Sequence, residues 1–208
     1  MKKTLCIFAL ICVLLASLTV SASAQTVEPL MPELLRQVLA GKTFTARMDS
    51  YFFDESMEHI ILGFQICEKE TYPAEAIEAL KPGDTILVGG EEFLIKEFKQ
   101  EDFGYEAVGE TYSIILTKND AGLYTAISDT ETSFFKNLFL IEADVGGSDF
   151  RFVDASAGDD VPPTVLNVQE MVKKLSNGEI HSNEDNTKIT FDENGKLVEF
   201  LYTYSPWN

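Results

Sequence analysis

Residues 58–68 read Glu-His-Ile-Ile-Leu-Gly-Phe-Gln-Ile-Cys-Glu, and the alternation in this stretch decides the class of the fold. Ile60, Leu62, Phe64 and Ile66 recur at a spacing of two, separated by Ile61, Gly63 and Gln65, with His59 and Cys67 at the ends. This is the period of a strand with one face in a core. Upstream, 43–53 reads as a second extended segment. Ahead of it a helix is predicted over 32–40, with Pro32 in its first turn and Gly41 as its stop.

Downstream, a short helix over 74–80 stops at Lys81-Pro82-Gly83. Two short strands follow, 85–88 and 92–98, joined at Gly89-Gly90. The middle of the chain reads as a meander: 112–117, a turn at Asn119-Asp120-Ala121-Gly122, 123–128 and 134–143. A further strand at 150–153 precedes an irregular Gly-, Asp- and Pro-containing stretch, 154–163, which reads as a linker. A third helix starts at Asn167 with Glu170 three residues on, the spacing of a capping box, and ends at Asn177-Gly178. The chain closes on a hairpin, 187–191 and 196–204, turned by Asp192-Glu193-Asn194-Gly195.

The expected class is therefore α+β, dominated by antiparallel sheet in meanders and hairpins, either barrel-like or half-open, with about three short helices. Residues 25–153 form the expected β-rich N-terminal part. Residues 164–208 form a helix-plus-hairpin unit that either stands alone or packs on the first as one domain. Apolar-x-x-Gly recurs at the helix ends Val38–Gly41, Leu80–Gly83 and Leu175–Gly178. Internal duplication explains the recurrence, and so does the preference of helices for a left-handed glycine cap.

Residues 1–24 carry Lys2 and Lys3, a run of nearly all apolar residues from Leu5 to Val20, and Ala22-Ser23-Ala24. This is the pattern of a secretory signal peptide cleaved after Ala24. The apolar run falls short of the roughly 20 residues that span a bilayer, and neither Cys6 nor Cys12 stands where a lipoprotein anchor would. The expectation is a protein secreted to the extracellular space, the cell envelope or the periplasm, with no membrane insertion after cleavage. Of the three cysteines, only Cys67 stays in the mature chain, so no internal disulfide is expected.

The mature chain keeps fourteen basic and all thirty-four acidic residues, a formal charge of −20. Such a surface disfavours nucleic acid. With His59, His181 and Cys67 as the only imidazole and thiol groups, a closed zinc site is set aside. No Gly-x-Ser-x-Gly elbow and no phosphate-cradling glycine loop is present. Cofactors are not expected, although calcium could be held by an acidic loop region comprising Asp144, Asp149, Asp154, Asp159 and Asp160.

The other local feature is aromatic. Tyr202, Tyr204 and Trp207 close the chain, either as the end of a core face or as a platform for a sugar ring or a protein. The reading of function is a non-catalytic binding or interaction protein with a protein or glycan partner. Its alternatives are a small secreted hydrolase using carboxylates, with or without calcium, and a carbohydrate-binding module.

Overall fold

The computed structural model describes residues 33–130, 132–158 and 160–204. The segment expected to be a cleaved leader, Asp159 and Trp207 lie outside the described residues.

The chain opens with α1 (Glu33–Leu39), β1 (Thr43–Phe53) and β2 (Ile60–Lys69). Then come β3 (Thr71–Tyr72), α2 (Ala74–Glu78), β4 (Thr85–Val88), β5 (Glu91–Leu94), β6 (Glu97–Glu101), β7 (Gly104–Val108), β8 (Ser113–Lys118) and β9 (Tyr124–Ser128). The remainder is β10 (Phe135–Asp144), β11 (Arg151–Ala155), β12 (Thr164–Leu166), α3 (Val168–Ser176), β13 (Thr187–Phe191) and β14 (Leu197–Thr203). Among the described residues the α+β class with three short helices and largely antiparallel sheet stands, and no sheet closes into a barrel.

The principal sheet has seven strands in the order β10-β2-β1-β13-β14-β11-β12. Its pairs are antiparallel except β11 with β14. The alternation in β2 sends Ile60, Leu62, Phe64 and Ile66 into a core whose largest side chains also include Phe152, Phe191 and Phe200. α3 covers that face. Asn167 accepts the Glu170 N–H, the Glu170 carboxylate accepts the Asn167 N–H, and Val168, Met171, Val172 and Leu175 form the helix's buried stripe. Full burial of each of these side chains is worth roughly 1.5–3 kcal/mol, which fixes the helix to the sheet.

α1 joins the same core through Leu39 and Leu35. It lies against the β13–β14 turn so closely that a Cβ on Gly195 would overlap the Arg36 main chain, and Gly195 also needs a positive φ of 72°. Two helix–strand–strand units, α1-β1-β2 and α3-β13-β14, thus meet by antiparallel pairing of β1 with β13. They make up the centre of the sheet.

The sheet curls. β10 lies at one edge and β11 five strands away, yet only residues 145–150 connect them, with a turn at Gly147. Five strand spacings in a flat sheet come to about 24 Å, close to the full reach of so short a segment. The rings of Phe64 on β2 and Phe200 on β14 accordingly meet edge to face at 5.4 Å, although two strands separate them.

β3 to β9 form a separate cluster. β3-β9-β8-β7-β6 make a five-stranded sheet, β4 and β5 a hairpin, and Ile77, Phe93, Ile95, Ile114 and Leu116 lie among the buried core of this module. The module leaves the principal sheet at the tip of the β2–β10 hairpin, where Lys69 faces Phe135 and the Glu70 N–H donates to the Phe134 carbonyl at 2.9 Å.

Candidate interaction site

A sheet offers partners its edges first, because only there are main-chain groups unpaired. The two edges of the seven-stranded sheet differ. β12 has three residues and follows Pro162-Pro163, which bring no N–H and blunt the edge. β10 has ten residues, and among the described residues it pairs only with β2.

The ladder tells which groups of β10 face outward. The Val145 N–H donates to the Ile60 carbonyl at 2.8 Å. Hydrogen-bonded and non-hydrogen-bonded pairs alternate along an antiparallel ladder. Asp144–Ile61, Glu142–Gly63 and Leu140–Gln65 are therefore the non-hydrogen-bonded pairs. The main-chain N–H and C=O groups of Leu140, Glu142 and Asp144 point away from β2. A bulge between Asn137 and Phe139 limits the regular run to Phe139–Asp144.

The same three residues lie on the sheet face opposite the helices. Ile141 and Ala143 are buried, while Glu142 is exposed and Leu140 retains 59% of its surface. On the same face Phe52 of β1, opposite Ile61, is 61% exposed, and Val165 of β12 is exposed as well. Large apolar side chains left bare on this sheet face next to an open edge mark a surface suited to association.

The far end of β10 is locked in place. Asp144 Oδ1 accepts the N–H groups of Ile60 and Gly146, at 3.2 and 2.9 Å, and Oδ2 meets His59 Nδ1 at 2.8 Å. Burial pushes the Asp144 carboxyl upward, but the hydrogen bonds from His59, Gly146 and Ile60 outweigh it and hold the pKa below the ordinary value. The same hydrogen bond raises His59 above its ordinary value, with the Asp144 charge adding to it. A Cβ on Gly146 would overlap the Glu58 carbonyl, so the β1–β2 turn and the 145–150 connection meet main chain to main chain. Ser56 Oγ donates to Asp54 Oδ2 rather than to the imidazole, and the turn carries the positive φ of Met57, 59°.

The other acidic residues singled out in the sequence are apart from this lock. Asp154 belongs to β11 and meets Lys174 of α3 at 2.7 Å, with Ser156 donating to its other oxygen at 2.6 Å. Burial raises its carboxyl, and the hydrogen bonds from Lys174 and Ser156 more than reverse the effect. Asp149 and Asp160 are exposed. Among the described residues no group of three or more His, Cys, Asp or Glu is placed to hold a metal ion.

Tyr202 is 5% exposed, stacks on Phe152 and accepts the His181 N–H on its hydroxyl. Tyr204, just past β14, is 59% exposed. The structure thus separates the two tyrosines, one in the core and one at the surface. Cys67 is buried on the face opposite the helices, its Sγ donating to the Gln65 carbonyl at 3.4 Å. Burial pushes the thiol up, and Glu184 adds to that. A thiol so held is a poor nucleophile. A surface hollow of about 340 Å3 is lined by Glu33, Arg36, Gln37, Ala40, Glu193 and Asn194, a shallow polar recess beside α1.

The outward main-chain groups of β10 were not legible in the sequence, since edge or interior position depends on which strands pair. The available signals were Leu138 and Leu140, apolar residues on the polar parity of their strand.

Comparison with protein families, with curated proteins and with solved structures finds no match to this chain.

Proposed function

We propose that this chain is an exported, non-catalytic interaction protein that takes its partner on the open β10 edge and the adjoining sheet face. The observation that carries this reading is the edge itself. Three residues in a regular run, Leu140, Glu142 and Asp144, turn their main-chain groups outward beside an exposed apolar side chain. Strand addition at such an edge obtains affinity from main-chain hydrogen bonds and specificity from alternate side chains. Export rests on the features of residues 1–24, which give the leader its charged start, apolar run and small-residue cleavage site.

The test is a thermal-shift screen of the full chain, expressed with its leader and purified as exported, against extended synthetic peptides, oligosaccharides and calcium. A ligand preferring the folded state raises Tm with its concentration. The reading expects a saturable rise with peptides, unchanged by chelator and without turnover of the peptide. A rise with oligosaccharides or calcium alone, or release of cleaved product, overturns it in favour of the glycan-binding or carboxylate-hydrolase alternative.

A further inference from the structure

We infer that the partner of β10 is an extended basic peptide segment, paired antiparallel with it, carrying an apolar side chain opposite Leu140 and Lys or Arg opposite Glu142. This rests on the reading of β10 as the docking edge and adds the partner's chemistry.

The charge at the Asp144 end of the regular run is one-sided, and Arg47, on the same face two strands in from Leu140, is already paired with Glu184. Glu142 projects from the exposed face, and Asp144 follows at the end of the strand. The β1–β2 turn that meets this end contributes Asp54, Glu55 and Glu58, and the β10–β11 connection contributes Asp149. Among the described residues the one basic group at this end, His59, is already engaged by Asp144. Glu142 has no ion-pair partner among the described residues, so a cation placed opposite it meets an unneutralised carboxylate. Opposite charges facing across antiparallel strands stabilise the pair, and like charges do the reverse. A second copy of the chain would bring the same acidic end and a further formal charge of −18, which opposes self-pairing.

The main chain sets the register. Residues of the added strand opposite Leu140, Glu142 and Asp144 would exchange N–H···O bonds with β10, because those are the positions whose groups face outward. Antiparallel pairing is the more stable arrangement per residue, and it continues the antiparallel β10-β2-β1 series.

The probe is the labelled hexapeptide Lys-Val-Lys-Val-Leu-Val, read N to C against Asp144 back to Phe139, with a Glu-for-Lys counterpart. Binding to the full chain is followed by fluorescence anisotropy. The expected result is saturable binding of the basic peptide, weakened about tenfold or more when both lysines become Glu. E142K should reduce or reverse that preference.

L140P removes one outward N–H and none from the β2 ladder, a placement that edge strands tolerate, and should abolish binding with the protein still folded. Should L140P fail to fold, the converse variant lies in the peptide. N-methylation of its Leu, whose N–H faces β10, should abolish binding, whereas N-methylation of the neighbouring internal Val should not. Equal binding of basic and acidic peptides, with sensitivity to L140P or Leu N-methylation retained, overturns the basic partner and leaves the docking edge standing. Dimerisation of the free chain that L140P abolishes assigns the edge to a second copy and also overturns it. Binding indifferent to both main-chain changes, or no binding of either peptide, overturns the docking edge and the partner together.

Discussion

The seven-stranded layer and the module inserted at the tip of its β2–β10 hairpin are held together differently. In the layer, Phe64, Phe152 and Phe200 meet ring to ring, with centroids 5.4 and 5.0 Å apart, and β1 pairs with β13 from the far end of the chain. The module draws its buried residues, Ile77 to Ala126, from one contiguous stretch of hairpins. Local contacts cost less loop closure than distant ones. A stretch of this kind can be carried on a hairpin tip, whereas the layer exists only when both ends of the chain are in place.

The strongest way to break this comparison is at the ring cluster of the layer. Phe200→Ala removes the ring that touches both Phe64 and Phe152 and should cost about 3–5 kcal/mol, read as a fall in the urea midpoint of the whole protein. Ile114→Ala, in the module core, should cost about 2–5 kcal/mol, but the loss should appear chiefly as faster amide exchange in β7, β8 and β9, with β2 and β14 keeping their protection. Equal loss of protection in both sheets would make the two cores one cooperative unit. Asn167→Ala, which removes the side-chain half of the α3 capping box, should cost about 1 kcal/mol and act on the layer alone.

A finer test concerns the lock at the end of β10. Asp144 is held low and contributes stability above its unfolded pKa, which is lost as pH falls through its lowered folded value. His59 is held high, so its contribution is complete below its unfolded pKa and is lost as pH rises through the raised folded value. The charged pair therefore acts at mildly acid pH, between about 4 and 6.5. Asp144→Asn should lower the His59 imidazole titration midpoint, followed by NMR, toward about 6.5, and an unmoved midpoint would contradict the geometry. The smallest effect on the layer is expected from excision. Replacing 71–133 by Asn-Gly should leave a cooperatively folded seven-stranded layer, because Glu70 and Phe134 already stand in hydrogen-bonded register. Loss of cooperative unfolding would show that the module supports the layer.

Local chemistry was readable in the chain. The parity of Ile60, Leu62, Phe64 and Ile66 placed one face of β2 in the core, and Asn167 with Glu170 marked the start of α3, down to both reciprocal hydrogen bonds. Gly178 after α3 and Gly195 in the last turn take the positive φ that their contexts require. The short strands β3, β7 and β12 escaped notice, and the single strand read over 92–98 divides into β5 and β6, which belong to different sheets. Two, three or five residues carry too little alternation to show a period; β7 buries only Ala107 fully, and β12 only partly buries Leu166.

The candidate site was less legible than the fold. Tyr202 and Tyr204 share a parity in the chain, yet the first lies under the His181 main chain, while the second extends past the end of β14. Asp144 and Asp154 lie ten positions apart in similar acidic company. One is committed to His59 at the end of an edge strand, the other to Lys174 beneath a helix.

The sequence by itself determined the overall acidic charge and the properties that depend on neighbours a few residues apart: strand and helix periods, caps and turns. Only the tertiary structure decided which strand stands at an edge, which main-chain groups face outward and which carboxylate meets which cation. Those outcomes follow from pairings such as β1 with β13 and His59 with Asp144, between residues far apart in the chain. Separation along the chain carries no local signal of the distance that folding will leave.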